Sequence, residues 1–547
     1  MLSSCGKKMG QFAADYFTTN PNPLEVVGQK VPATVTAKIP AKFFVKNATV
    51  TVTPYLVFDG KEVASQSYSF QGEKVRGNAP VISYEYGGTA TIPVSYTYEP
   101  AMAKSQLELA FNVQQNGKTY VLPRVKVANG VIATAALADA ATVNPALAAD
   151  AFQKVINQKY AADILFLINV ANLRPDQLNS DAMKALQKEI IDANADTSRV
   201  IKEVNIKSYA SPDGTLDFNT ALAEKREQNT KGYVESQMKK NKIQEFGEIT
   251  AQFTPEDWEG LSKLIAESDL QDKQVILDVL NMYKDPEQRE QELQKFIKVY
   301  EQLPDVILPK LRYSRITAAI DVIGKSDAEI NRLFNSNPSA LNVEEMLYAA
   351  TLTDDPARQE VIYTQATAQF PADYRTWNDL GLAQYKNGKY NEASKSFAKA
   401  AQLAPAGAEP QMNLGLIELL NGNFTSANKY FGAAGGQQGL GEALGVYYLM
   451  TGDNAAAARA FGDAKSNNAA LAQILTKNYT KAKSTLAGIN TPDATSYYLM
   501  AILGARTNNE NMLLTNLRQA IKLQPALAAQ AAKDLEFANF NIASLLK

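Results

Sequence analysis

The sequence has no histidine and only one cysteine among its 547 residues. Without histidine, no Ser-His-Asp or Cys-His catalytic site, no histidine-ligated metal and no histidine pH switch can be assembled. A single thiol excludes an intrachain disulfide and any zinc site that needs several thiolates. An excess of one charge is missing too: 55 Lys+Arg stand against 57 Asp+Glu, a net of -2. That balance argues against nucleic acid as the main partner. No apolar run reaches the roughly 18 residues a membrane-spanning helix needs. Hydrolysis by paired carboxylates would need two acids facing one cleft, and no spacing argues for that. The expectation is a non-enzymatic protein without metal or cofactor.

What is present is ordinary for globular protein: 46% hydrophobic and 20% charged residues. At roughly 150 residues per domain, the length suggests three to four domains. Residues 9–23 are polar, with Pro and Asn, and read as a tether. From 24 to 130 the pattern becomes short alternating runs, such as 48–53, 81–86 and 90–96, punctuated by Asp59-Gly60, Gly87-Gly88 and Asn116-Gly117. Period-2 alternation broken by such turns predicts an antiparallel β-sandwich. Residues 131–150 are Ala-rich and almost uncharged, and read as a linker or short helix. Residues 151–323 alternate strand and helix patterns, with a helical insertion at about 250–310. Residues 324–547 are helical throughout.

The C-terminal helices repeat. Leu380, Gly381, Gly388, Tyr390, Ala393, Phe397 and Ala400 recur 34 positions later as Leu414, Gly415, Gly422, Phe424, Ala427, Phe431 and Ala434. A third unit carries Leu444, Gly445, Gly452, Ala457, Phe461 and Ala464. This period resembles the tetratricopeptide repeat. The resemblance implies paired antiparallel helices stacked into a solenoid whose concave surface holds a peptide or protein. One departure is Gln384, where the family prefers an aromatic; Tyr385 follows one position late. Of Tyr447, Tyr448, Tyr497 and Tyr498, one of each pair is expected in the core, because adjacent helical residues point in different directions.

The middle segment carries strands at 162–167 and 200–208, a helix at 180–195, and the turn Tyr209-Ala210-Ser211-Pro212-Asp213-Gly214. A helix bearing Asn219, Leu222, Ala223 and Arg226 runs to Lys240, and a final strand lies at 314–322. The order and the N-x-x-L-x-x-x-R pattern of 219–226 resemble the C-terminal, peptidoglycan-associating domain of the OmpA family. The resemblance implies a small α/β sandwich in which an Asp and the helix Arg hold diaminopimelate. Arg226 matches that arginine, a residue suited to bidentate carboxylate binding. Ser211 stands at the aspartate position, with Asp213 two residues on, so peptidoglycan is a candidate partner and Ser211, Asp213, Asn219 and Arg226 are its candidate residues.

Leu2-Ser3-Ser4-Cys5-Gly6 resembles a bacterial lipobox, which implies lipidation of Cys5. Only four residues precede it, short of the apolar stretch of about 7–15 that a secretory signal needs, so the pattern would belong to a longer precursor. Together these resemblances imply an outer-membrane, lipid-anchored scaffold with an envelope protein partner on its repeats. They resemble the make-up of lipoprotein accessory subunits of outer-membrane assembly or secretion machines. The alternative is a glycan-binding surface lipoprotein, with Tyr84, Tyr86, Tyr96 and Tyr98 alternating on strands as a sugar platform.

Overall fold

A computed structural model describes residues 8–546. They form two compact units. One is discontinuous, joining the residues up to Asp150 to those from Ala350 onward; the other runs from Ala151 to Ala349.

The N-terminal part of the first unit is built from two mainly antiparallel sheets. In one, Lys30–Ile39 lies between Phe17–Asn20 and Gly88–Thr97; the other has Ala48–Phe58 and Gln106–Gln115 at its centre. The alternation in the sequence becomes the two faces of each strand. In Ala48–Phe58 every second residue, from Ala48 to Phe58, is buried. Both sheets supply one core: Val35 and Ile92 from the first, Val50, Leu109 and Phe111 from the second. Asp59-Gly60 and Asn116-Gly117 have positive φ at both positions, the two-residue hairpin geometry whose twist matches that of the strands. The expected strand at 81–86 is only Val81–Ile82, followed by a turn closed by a bridge between Ser83 and Gly87.

The C-terminal part of this unit is an all-helical array of antiparallel pairs from Pro356–Gln369 to Glu510–Leu523. The first helices include Tyr374–Lys386, Ala408–Leu420, Leu440–Thr451, Asn467–Leu475 and Ala494–Arg506. Three of these pairs close on a glycine opposite a ring. A Cβ on Gly381, Gly415 or Gly445 would lie 2.5–2.6 Å from Phe397, Phe431 or Phe461. The helices approach so closely that only a hydrogen fits. Tyr498 is core and Tyr447 packs on Phe424 and Phe431, while Tyr448 and Tyr497 are half-buried against the same core.

The second unit is a four-stranded sheet in the order Val155–Leu165, Tyr313–Ile323, Arg199–Tyr209, Glu248–Thr254, with the last pair parallel. The helices Asp181–Ala195 and Leu216–Lys240 supply Met183, Leu186, Val234 and Met238 to a core shared with Ile164, Val204, Ile206 and Ile316. Within the insertion, Asp257 and Asp285 cap helices as their Pro/Asp/Glu context predicts. A third helix, Lys273–Met282, joins them around a separate core that includes Leu261, Ile276 and Leu293.

Four expected boundaries are corrected. Residues 9–23 are no free tether, since Met9 and Phe12 are buried in the core of the sheets and Phe17–Asn20 is a strand. The helical insertion begins only after 254, because Glu248–Thr254 is a strand of the second unit's sheet. Residues 324–349 do not open the repeat array. They fold onto the start of the second unit, where Lys154 pairs with Asp327 at 2.9 Å and Phe152 stacks on Tyr348. Residues 131–150 are no free linker: Ala140, Val143 and Ala146 belong to the hydrophobic core of the repeats.

The packing predicts opposite outcomes for two similar substitutions. Gly415→Ala should cost about 1–3 kcal/mol by overpacking against Phe431, despite the better helix propensity of alanine. Gly432→Ala, where nothing lies within 4 Å, should gain about 0.5–1 kcal/mol. Urea unfolding of both variants checks the pair.

Candidate functional site

A segment without long regular structure can be buried only if its N–H and C=O groups find partners. Residues 134–148 form just two short 3-10 turns, Thr134–Leu137 and Ala140–Thr142. The first helices of the repeats supply the missing partners. The Asn468 amide accepts from the Asp139 N–H at 3.0 Å and donates to the Asp139 carbonyl and the Thr142 hydroxyl, both at 2.9 Å. Tyr385 donates its hydroxyl to the Ala140 carbonyl at 2.9 Å. The Asn413 amide accepts from the Ala146 N–H at 2.6 Å and returns a bond to the Ala146 carbonyl at 2.8 Å. Asn378 donates to that same carbonyl at 2.9 Å, and its own side-chain oxygen accepts from Asn413. Asp379 accepts from the Ala148 N–H at 2.9 Å.

The contacts are ordered. Apart from Tyr385 at Ala140, the segment meets Asn468 first, then Asn413 and Asn378, then Asp379, so it runs antiparallel to the order of the repeats. At its start, Thr134 donates to Glu536, which is also paired with Arg506 at 2.6 Å. Tyr498 donates to Asp534 at 2.7 Å beside it, fastening the C-terminal turns to the last repeat. A cavity of about 770 Å³ stays open at this end, between residues 133–138, Tyr98, Lys533 and Asp534.

Asn413, Asn378, Asp379 and Asn468 are all 4% exposed or less. Burial pushes the Asp379 carboxyl up to about 8, against the opposing pull of Asn378, the Ala148 N–H and Arg375. None of these polar residues stood out in the sequence, yet a signal was there. Asp379, Asn413 and Asn468 each precede by 11 residues the aromatic that opens the second helix of the pair, Tyr390, Phe424 or Tyr479. The late aromatic Tyr385 also finds its use here, on the segment.

The middle-unit candidates come together, but they face one another. Arg226 has no exposed surface. Its guanidinium donates to the carbonyls of Val170 at 3.1 Å, Tyr209 at 2.8 Å and Leu167 at 3.2 Å, and lies 4.9 Å over the Phe166 ring. Burial, then the nearby positive Arg312, push its pKa down to about 10. Ser211 donates to Asp213 and accepts from Arg312 at 3.1 Å, while Arg312 pairs with Asp213 at 2.9 Å. Asn219 donates to the Gly214 carbonyl at 2.8 Å. The insertion reaches the same turn, with Gln294 donating to the Asp213 carbonyl at 2.9 Å. Arg312 and Gln294 are the members that sequence reasoning missed, because both lie far along the chain from the motif.

The tyrosine platform is a correction. Tyr84 and Tyr86 sit in the turn after Val81–Ile82, Tyr96 points into the core, and Tyr98 follows the strand Gly88–Thr97. Only Tyr86 is widely exposed, at 87%, so no shared aromatic face forms. Cys5 lies outside the described residues. Among the described residues no cluster of three or more Cys, Asp or Glu is placed to hold a metal, and no helix is long and apolar enough to cross a membrane.

Two measurements test the groove. Asn413→Ala leaves the Ala146 N–H unpaired and should cost about 1–3 kcal/mol in urea unfolding. Asp379 titrates near 3.9 when unfolded and at about 8 when folded. Its contribution to stability is therefore complete below the unfolded value and is lost as pH rises through the folded one. The wild-type Tm should fall between about pH 4 and pH 8 more steeply than that of Asp379→Asn; equal slopes would refute the assignment.

Comparison with known proteins bears on the helices alone. A search of curated proteins finds no match. Among solved structures, a chain of the Cut9-Hcn1 hetero-tetramer of APC/C is similar at 18% identity and TM-score 0.32, over 40% of this chain and 44% of that one. This chain thus spans less than half of that relative. A tetratricopeptide repeat protein of Parabacteroides merdae aligns over 40% of this chain and 89% of its own, at 12% identity and TM-score 0.30. The pilF protein of Pseudomonas aeruginosa aligns over 39% and 99%, at 15% and 0.30. Residues 374–406 match the model of the tetratricopeptide repeat, and the helical array that holds the segment carries repeats of that kind.

Proposed function

We propose that this protein is a non-catalytic scaffold of the bacterial cell envelope, anchored to the outer membrane by lipid on Cys5 and working by holding polypeptide. The observation that carries the holding role is the array of buried Asn side chains pairing the main chain of an extended segment. The N-terminal sheets are read as a β-sandwich and the middle unit as an OmpA-like module. That second reading is supported by the strand order, by the two helices packed on the sheet, and by Asn219 and Arg226 beside the Ser211–Gly214 turn.

Within this reading the envelope partner is a protein rather than the wall. Three carbonyls already occupy Arg226, and Arg312 already neutralises Asp213. A charge placed so deep is a structural member. Losing it strands buried acceptors, each worth about 1–3 kcal/mol.

Cross-linking in native membranes followed by affinity purification tests the proposal. The expected result is membrane fractionation that Cys5→Ser abolishes, with stable recovery of an envelope protein. Recovery of the chain alone, from the soluble fraction, would overturn it. Arg226→Ala should lower stability by about 3 kcal/mol or more, and wild type should not sediment with purified sacculi. Retention of wild type on sacculi would restore the wall-binding reading.

A further inference from the structure

The groove reads main chain. Apart from the bond to Thr142, its hydrogen bonds between Asp139 and Ala148 go to backbone N–H and C=O groups. The inward side chains are small: Ala140, Val143, Ala146 and Ala148 are 1–5% exposed. Between them Asn144 and Leu147 are exposed, and Thr142, also exposed, takes its one groove bond from Asn468. The groove therefore demands an extended chain with small, uncharged inward residues and is indifferent to the outward ones.

The closures between the helix pairs do not run through the segment. The helix pairs close on one another through Gly381 with Phe397 and Gly415 with Phe431. At its N-terminal end the segment is held elsewhere, by the pairing of Val131–Ile132 with Leu24–Glu25. Removing it leaves the closures between the helices in place.

We propose that the concave face of the repeats is a binding site for an extended polypeptide of the pattern Ala-x-x-Val-x-Pro-Ala-x-Ala, and that residues 140–148 are its tethered, replaceable occupant. This goes beyond the scaffold reading by naming the ligand chemistry. The tether sets the competition. A linked segment acts at an effective concentration in the millimolar range, so a free peptide with the same contacts is excluded until the resident segment leaves.

The test uses the full chain with residues 139–148 replaced by a Gly/Ser stretch of equal length. The probe is a fluorescent peptide of residues 134–150, read by anisotropy. The replaced chain should bind the peptide at least about 100-fold more tightly than the native chain does. A peptide carrying Ala146→Arg and Ala148→Arg should not bind. A folded replaced chain that ignores the peptide, or equal binding by both chains, overturns the proposal. If the replaced chain fails to fold, hydrogen exchange on the native chain decides. Exchange of the Ala146 and Ala148 amides ahead of the Tyr374–Lys386 and Ala408–Leu420 helices supports a replaceable occupant. Exchange only together with those helices makes the segment a fixed part of the core and ends the idea. None of these outcomes touches membrane anchoring or partner recovery, which the fractionation and cross-linking read separately.

Discussion

The seating of residues 134–148 in the first unit depends on a reciprocal pair of hydrogen bonds between the Asn413 amide and the Ala146 main chain. A side-chain amide offers N–H donors and a C=O acceptor, the complement of a peptide group, so it can stand in for a neighbouring strand. Asn378 adds a second donor to the same carbonyl and Asp379 takes the next inward N–H. With those groups paired, an otherwise irregular stretch can be buried. Ala140 and Ala146 then join the hydrophobic core of the repeats. The rest follows from that burial: the entry clasp at Thr134 and Glu536, the raised pKa of Asp379, and the discontinuity of the unit.

Much of the architecture was legible in the chain. Alternation in 48–58, the Asn-Gly and Asp-Gly hairpins and the recurring glycine–aromatic spacing each report a local requirement, and the structure meets them locally. The Ala-rich stretch was not legible for the same reason. Alanine has no strong preference for either face of an element, and nothing within 131–150 announces a groove more than two hundred residues away. The asparagines were hidden differently. Asn413 and Asn468 share one repeat position with Asp379, but the eye follows the apolar and glycine positions that define the repeat.

In the middle unit the motif picked out side chains that do come together, and misjudged their company. Asn219 and Arg226 do lie beside the turn of Ser211 and Asp213. The family pattern, however, describes a pocket whose charges wait for a ligand. Here Arg312, from the start of the last strand, satisfies Asp213, and backbone carbonyls satisfy Arg226. Local spacing identifies which side chains share a place. It does not reveal a counter-ion supplied by the far end of the domain or by an insertion.

The separation of 267 residues between Ala146 and Asn413 also has a temporal side. A ribosome adding roughly 5–20 residues per second would finish the segment some ten to fifty seconds before the asparagine that receives it. During that interval the stretch has no groove to enter and must stay soluble while the whole middle unit is made. A sequence dominated by alanine, interrupted by Pro145 and without aromatic residues, is a poor candidate for strand aggregation. The small side chains that fit the finished groove are thus also those that let the chain wait for it.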